Sequence, residues 1–209
     1  MTLAENPWVK KAEKGYYSII KEFANTIKRL PITEEHVRGN VLIAGQGSAF
    51  PERLLVCTPP NFNTTKKSVN SITFCDHGIG TNPKNCLKKE VSIKWRGEKP
   101  NLRGVEYYSD FLQLILPFIE DNTFDTVMMF RISYIQENLV DEGLLESIKR
   151  VLKPGGIFIG SGGFEALDIA DEIMRQDFNI LATKELPNPD SSGYVYWKTH
   201  IGFILQALK

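Results

Sequence analysis

Apolar positions along this chain recur in two alternating rhythms, short continuous runs and helical spacing. Residues 7–30 place Tyr16, Ile19, Ile20, Phe23, Ile27 and Leu30 at helical intervals with Lys and Glu between them, and Pro31 ends the run. Val41-Leu42-Ile43-Ala44 is an apolar strand running into Gly45-Gln46-Gly47-Ser48-Ala49. Residues 51–56 fit a short helix, and the polar residues 58–70, with Pro59-Pro60, read as a long loop. Residues 71–75 are a second strand ending in Asp76-His77-Gly78, with a lysine-rich helical stretch from Pro83. Residues 105–108 are a third strand ending at Ser109-Asp110, followed by a short apolar stretch, 111–119, that Pro117 interrupts. Residues 124–130 are a fourth strand, followed by Arg131-Ile132-Ser133-Tyr134.

The clearest step comes next. Residues 142–152 form an amphipathic helix with Leu144, Leu145, Ile148 and Val151 inward. Lys153-Pro154-Gly155-Gly156 reads as the turn that stops it, and a fifth strand occupies 157–160. A helix over 165–176 leads to two last strands, 180–186 and 201–208, joined by 188–193 and the aromatic stretch Tyr194-Val195-Tyr196-Trp197. Strands alternating with helices predict an α/β fold: a doubly wound, mostly parallel sheet of seven strands with helices on both faces. The last two strands, with no helix between them, predict an antiparallel C-terminal edge. The first helix precedes every strand, so residues 1–35 read as an N-terminal helical cap on a domain spanning 36–209.

Composition narrows the class. The 209 residues are 42% hydrophobic and 24% charged, an ordinary globular balance. Lys plus Arg equals Asp plus Glu at 25 each, which argues against a dedicated polyanion binder. The charge is uneven: 84–103 is lysine-rich, whereas acids dominate 106–146. Two solvated faces of opposite sign are the plain reading; a basic lip over an anionic substrate is the sharper one. Cys57, Cys75 and Cys86 lack C-x-x-C spacing, which suits a reducing compartment and argues against a zinc site or a disulfide framework. No apolar run approaches the length needed to span a bilayer, and the expectation is a soluble, cytoplasmic protein without a metal.

In an open parallel sheet, ligands bind beyond the carboxyl ends of the strands. The glycines after the first strand let the backbone approach a ligand, or they form a tight turn. Asp76 after the second strand can accept from both ribose hydroxyls, or it caps a helix. Asp110 after the third can accept from an adenine amino group, with Phe111 or Leu112 packing on the base; helix capping is again the alternative.

In their order, these landmarks resemble the class I S-adenosylmethionine-dependent methyltransferases, a Rossmann-like family. They are a glycine turn, an acid, a second acid, the Phe124-Asp125 strand and Leu152-Lys153-Pro154-Gly155-Gly156. Leu116-Pro117-Phe118 before Asn122-Thr123-Phe124-Asp125 is similar to the family's approach to its fourth strand. The resemblance covers roughly residues 40–208. It implies S-adenosylmethionine as cofactor, with Gly45, Gly47 and Ala49 near its methionine and ribose, Asp76 and His77 at the ribose, Asp110 and Phe111 at the adenine, and Arg131 facing the same crevice. Asp125 begins its strand, so its role is structural. The chain departs from the family pattern at Ile43, where an acid is usual, at Ala49, which replaces a third glycine, and in the long 58–70 loop.

The implied activity is in-line methyl transfer to a small molecule. Most of the rate of such a reaction comes from orienting the two reactants. Base candidates are His77 and His200, with Tyr134 as orienter; His200 reads as preceding the last strand, where a surface histidine is the plain alternative. Tyr16, Tyr17, Tyr134 and Trp197 are candidates for the substrate mouth, or they pack the cap on the core. The departures keep a second reading open, a degenerate methyltransferase fold serving as a non-catalytic binding or partner subunit. A nicotinamide fingerprint would need glycine where Phe50 stands, and no P-loop occurs. The Asp/Asn-Pro-Pro-Tyr/Phe signature of enzymes that methylate nucleic-acid amino groups is absent after the fourth strand. The lysine-rich region leaves RNA or a phosphorylated metabolite open as a partner. Nothing in the sequence indicates an oligomeric state.

Overall fold

The structure is a computed structural model, and it describes residues 28–33, 35–44, 69–75, 104–108, 115–132, 143–164, 166–187 and 199–208. Its strands are β1 (Gly39–Ala44), β2 (Val69–Cys75), β3 (Gly104–Tyr108), β4 (Phe124–Ile132), β5 (Leu152–Phe164), β6 (Phe178–Leu186) and β7 (Thr199–Ala207). They form one sheet in the order β3-β2-β1-β4-β5-β7-β6. The pairs β2–β3, β1–β2, β1–β4 and β4–β5 are parallel, and β7 runs antiparallel between β5 and β6. The described helices are α1 (Leu144–Val151) and α2 (Leu167–Arg175), and a 3-10 turn covers Leu116–Phe118. The expected helical cap lies almost wholly outside the described residues.

Helix α1 buries Leu144, Leu145, Ile148 and Val151, the stripe its spacing predicts, and carries Lys149 and Arg150 in its last turn, where cations suit the helix dipole. Together with Ala170 and Met174 of α2 it covers one sheet face, packing on Val127, Phe158, Phe203 and Leu205. Phe158 meets Phe203 edge-on at 5.0 Å and Phe178 at 6.0 Å, geometries worth about 0.5–1.5 kcal/mol beyond burial. Gly160 makes this possible, because a Cβ there would collide with the Phe203 ring and the Met129 carbonyl. The other face receives residues 28–33 and 35–37. Leu30, Ile32 and Val37 are buried, and a Cβ on Gly202 would lie 3.0 Å from Leu30 and 2.9 Å from Leu186. Edge strand β6 exposes Lys184 and Glu185, charges that discourage pairing with another chain.

The amino ends of four neighbouring strands are tied by side chains. Ser71 on β2 donates its hydroxyl to Asn40 Oδ1 at 2.9 Å. Asn40 on β1 donates its backbone N–H to Asp125 Oδ2 at 2.8 Å and its amide to the Thr123 carbonyl at 3.2 Å. Lys153 on β5 donates to the same Asp125 oxygen at 2.7 Å. Thr126, fully buried, donates to the His36 carbonyl at 3.0 Å and accepts from the Arg38 N–H at 3.2 Å, fastening the segment that enters β1. Gly39 has φ +63°, and a Cβ there would strike the Asp125 carboxylate. The 3-10 turn is held by Arg150, which donates to the carbonyls of Ile119 at 2.9 Å and Leu116 at 2.6 Å and pairs with Asp121.

The structure corrects the expected turn at Lys153-Pro154-Gly155-Gly156. The fifth strand begins at Leu152, not at Ile157, and the four residues are a wide bulge inside it. Phe124 pairs with Leu152 and Thr126 with Ile157, so five residue steps on β5 face two on β4. Gly155 takes φ +72°, and a Cβ on Gly156 would come within 2.8 Å of the Lys153 carbonyl. The glycines and proline do break the regular backbone, but within a strand whose two ends both pair with β4. The apolar stretch 111–119 is likewise no more than the 3-10 turn over its described part, and β6 begins two residues before the expected 180.

Asp125→Ala is expected to lower the unfolding free energy by about 1.5–3 kcal/mol, because it strips a charged acceptor from a backbone N–H and an ammonium. Gly39→Ala should cost at least the roughly 1–2 kcal/mol of left-handed backbone, with the clash in addition. Urea titration of both single mutants and the double mutant checks this. The double mutant should be less unstable than the sum, because removing the carboxylate removes the clash.

Candidate functional site

The carboxyl ends of the parallel strands are in register. Ala44 on β1 pairs with Cys75 on β2, and Cys75 with Tyr108 on β3. On its other side Ala44 pairs with Met129 on β4. One row of residues thus ends three adjacent strands, and the chain leaves that row at positions 45, 76 and 109. The strand order reverses at β1 and β4, since β2 and β3 lie to one side of β1, and β4 and β5 to the other. A crevice at such a reversal is where open α/β sheets take ligands.

Among the predicted site residues, Gly45, Gly47, Ala49, Asp76, His77, Asp110, Phe111, Tyr134, Tyr16, Tyr17 and Trp197 lie outside the described residues. The basic stretch 84–103 and the 58–70 loop do as well, apart from the first two residues of β2. Arg131 is described by its backbone alone: it belongs to β4, which runs on to Ile132, rather than following the strand. His200 is the clearest correction. It lies inside β7, not ahead of it, and is 1% exposed where a surface histidine is the plain expectation. Its burial follows from pairing on both sides, with Gly163 of β5 and Leu186 of β6. Ile43, the departure from the family's usual acid, is a buried core residue of β1 at 1% exposure.

Sequence reasoning missed Asn40, Thr126 and Ser161. The first two belong to the amino-end ties, whose partners are some 85 residues apart in the chain. Ser161 is fully buried in β5 beyond the predicted strand end. Cys75 is buried in the core at the last position of β2, within the row of strand ends. An open cleft of about 550 Å³ is lined by Gly155, Phe178, Ile180, Gln206 and Leu208. It lies where β5 starts and β7 ends, away from the carboxyl ends of the parallel strands. Among the described residues no cluster of His, Cys, Asp and Glu could hold a metal ion, and no helix is long and apolar enough to cross a membrane.

The sequence matches no protein-family model and no curated protein. Solved structures do resemble the chain. A 1,6-didemethyltoxoflavin-N1-methyltransferase from Burkholderia thailandensis, solved with 1,6-didemethyltoxoflavin and S-adenosylhomocysteine bound, is 15% identical, with TM-score 0.53 over 81% of this chain and 71% of that one. A putative sarcosine dimethylglycine methyltransferase from Galdieria sulphuraria is 14% identical, with TM-score 0.56 over 99% of this chain and 86% of that one. The fold is that of the class I S-adenosylmethionine-dependent methyltransferases. The same fold likeness, TM-score 0.56 at 14% identity over 92% of this chain and 93% of that one, extends to the [4+2]-cyclase SpnF. Fold therefore does not name the reaction.

One described group has a displaced proton affinity. Burial pushes the His36 imidazole below its ordinary value, and Arg38 adds to this while Glu35 opposes it. Nδ1 accepts the Thr33 backbone N–H at 2.9 Å, a bond that needs the unprotonated nitrogen. The unfolded chain therefore takes up this proton at a higher pH than the folded one. Stability should be indifferent to His36 above about 6.5, the free histidine value, and should fall as pH drops from there through the folded value. Urea unfolding of the wild type and His36→Asn between pH 5 and 8 (roughly the range over which histidine changes charge) should give curves that diverge on the acid side, with the wild type losing more.

Proposed function

We propose that this protein is an S-adenosylmethionine-dependent methyltransferase acting on a small molecule. The observation that carries the proposal is the single row formed by Ala44, Cys75 and Tyr108 at the ends of β1, β2 and β3. The glycine turn, Asp76 and Asp110 each come just after one member of that row. Three landmarks that are far apart in the chain thus follow adjacent strand ends, beside the reversal of strand order where open α/β sheets take their ligands.

In this reading Gly45, Gly47 and Ala49 hold the methionine and ribose end by close backbone approach. Asp76, with His77 beside it, accepts from the ribose hydroxyls. Asp110 accepts from the adenine amino group against Phe111, and Arg131 borders the crevice from the end of β4. When bound, the cofactor supplies an electrophilic sulfonium methyl. The chain's own part is to fix the two reactants in line and exclude water, the contribution that dominates where the nucleophile needs little activation. Tyr134, Tyr16, Tyr17 and Trp197 are assigned to the substrate mouth. The balanced net charge and the missing Asp/Asn-Pro-Pro-Tyr/Phe signature favour a small molecule over a nucleic acid, and the lysines of 84–103 suit an anionic one. The reading places the protein in the cytoplasm.

Calorimetric titration with S-adenosylhomocysteine tests the proposal. Saturable binding is expected, and Asp76→Ala should weaken it by about 1.5–3 kcal/mol, the scale of hydrogen bonds to a charged acceptor. Absence of heat at millimolar ligand would remove the enzyme reading. Binding that Asp76→Ala leaves unchanged would move the ribose site elsewhere.

A further inference from the structure

The residues assigned to the cofactor follow carboxyl ends of the parallel strands. The amino end of the sheet carries two surface features that neither the frame nor that assignment uses. The first is the 3-10 turn. Phe118 in it is 88% exposed, against 44% for Leu208 and 42% for Leu181, the other exposed large apolar side chains described. The turn that presents this ring is firmly held. Leu116 and Ile119 on either side of it are buried, the Ile119 N–H donates to the Leu116 carbonyl at 3.0 Å, and Arg150 donates to both carbonyls. The ring is followed by two exposed acids, Glu120 and Asp121. Asp121 pairs with Arg150, whereas Glu120 has no ion-pair partner among the described residues.

The second feature is the open cleft of about 550 Å³ where β5 starts and β7 ends. Phe178 and Ile180 of β6 and the half-exposed Leu208 give it an apolar lining, and Arg175 at the end of α2 gives it a cation. The Arg175 side chain is two-thirds exposed. Its partner within the chain is Asp171, one helical turn back and 3.9 Å away, an exposed pair of the kind that contributes little.

Turn and cleft share one end of the molecule. The turn leads into the start of β4 and is fastened by Arg150 at the end of α1. β7 runs antiparallel to both β5 and β6, so its last residues lie beside the first residues of those two strands. Across the sheet, β7 is two positions from β4 and β6 is three, at about 4.8 Å per position. A two-fold axis lying in the plane of this end, midway between the two features, exchanges them. Each turn of a pair of molecules then meets the other's cleft, the self-complementary arrangement that closes a symmetric dimer.

We propose that two copies of this chain associate through the amino ends of their sheets, with the Phe118 turn of each seated in the cleft of the other. The ring is covered by Phe178, Ile180 and Leu208, and Glu120 of one copy meets Arg175 of the other. A second copy is the occupant because the chain itself carries both halves, an apolar projection with an unpaired acid and an apolar recess with an exposed cation. Aromatic and arginine side chains are the types that interfaces concentrate. A turn already fixed by Arg150 needs little further ordering on docking. The second contact forms within a complex held by the first, which strengthens the pair without enlarging either contact. The contact is small, so the association is reversible rather than permanent. It leaves the carboxyl ends of the strands uncovered in both copies and does not depend on the methyltransferase reading.

Sedimentation velocity of the full chain from about 1 to about 300 µM, a range that brackets micromolar dissociation constants, tests this. The wild type is expected to pass from monomer to dimer with no larger species. Phe118→Ser, Glu120→Lys and Arg175→Glu should each weaken the dimer by at least about fivefold, because each substitution strikes both contacts. Glu120→Lys combined with Arg175→Glu should bind more tightly than Arg175→Glu alone, since the swapped charges attract again. All three side chains are exposed, so the core is untouched, and circular dichroism melts verify the fold of each variant. A wild type that stays monomeric throughout overturns the proposal and leaves the cleft to another occupant. A dimer that folded Phe118→Ser or Arg175→Glu weakens by less than that factor overturns it as well, and so does a double variant no tighter than Arg175→Glu.

Discussion

One carboxylate oxygen organises the amino end of this sheet. Asp125 Oδ2 takes the Asn40 backbone N–H from one neighbouring strand and the Lys153 ammonium from the other. Asn40 passes the connection on to Ser71, so β2, β1, β4 and β5 are joined in spatial order by side chains as well as by their backbone ladders. Parallel strands cannot set register by a tight hairpin. A side-chain tie at the strand starts provides that reference, and a slip of one residue would lose it along with the facing of every side chain. Gly39 and the bulge at 153–156 are consequences of the same constraint. The first clears space for the carboxylate with a left-handed glycine, and the second brings Lys153 back towards β4 although the two strands differ in length there.

Fixing the amino ends has a consequence at the opposite ends. The row Ala44, Cys75 and Tyr108 is level because β1 and β2 share a starting reference, and the parallel ladder between β2 and β3 carries the register on from Cys75 to Tyr108. Function in such folds depends on loops that leave a level edge. The ties at Asp125, Thr126 and Arg150 are all on the amino side of the sheet or on the connections entering it. No residue proposed for ligand binding takes part in them, so binding residues can vary without loosening the frame.

How far the sequence discloses this depends on the range of the interactions. The strands β1 to β4 and helix α1 are legible because runs of Val, Ile, Leu and Met, and the stripe Leu144, Leu145, Ile148 and Val151, are local patterns that burial reinforces. The bulge in β5 is not. Lys-Pro-Gly-Gly has identical turn chemistry whether it ends a strand or kinks one, and the difference lies in Leu152 pairing with Phe124, far away in the chain. The burial of His200 is hidden for a related reason. A polar residue at the start of an apolar run looks like an entry to the strand, and only pairing on both sides with β5 and β6 buries it. Of the candidate site, the order along the chain is legible, and the alignment of the three strand ends behind that order is a tertiary fact that no single motif contains.

The Lys-Pro-Gly-Gly run and the carboxyl ends of the parallel strands belong to opposite ends of the sheet. The sequence feature that most clearly marks this fold is therefore a framework feature: Lys153 reaches Asp125, not a ligand. A fold whose frame is separate from its strand-end loops is free to serve different reactions, and structures sharing this fold include both methyltransferases and a [4+2]-cyclase. The amino-end ties specify a sheet whose order reverses between β1 and β4, and any ligand suited to that reversal can be served by changing the loops at the carboxyl ends of the strands. Information about chemistry must then come from residues that the frame does not need. By that criterion the Asp125, Thr126 and Asn40 network is uninformative about the reaction, however well ordered it is. In the proposed reading, that leaves the residues that follow the carboxyl ends of β1, β2 and β3 to carry the chemistry.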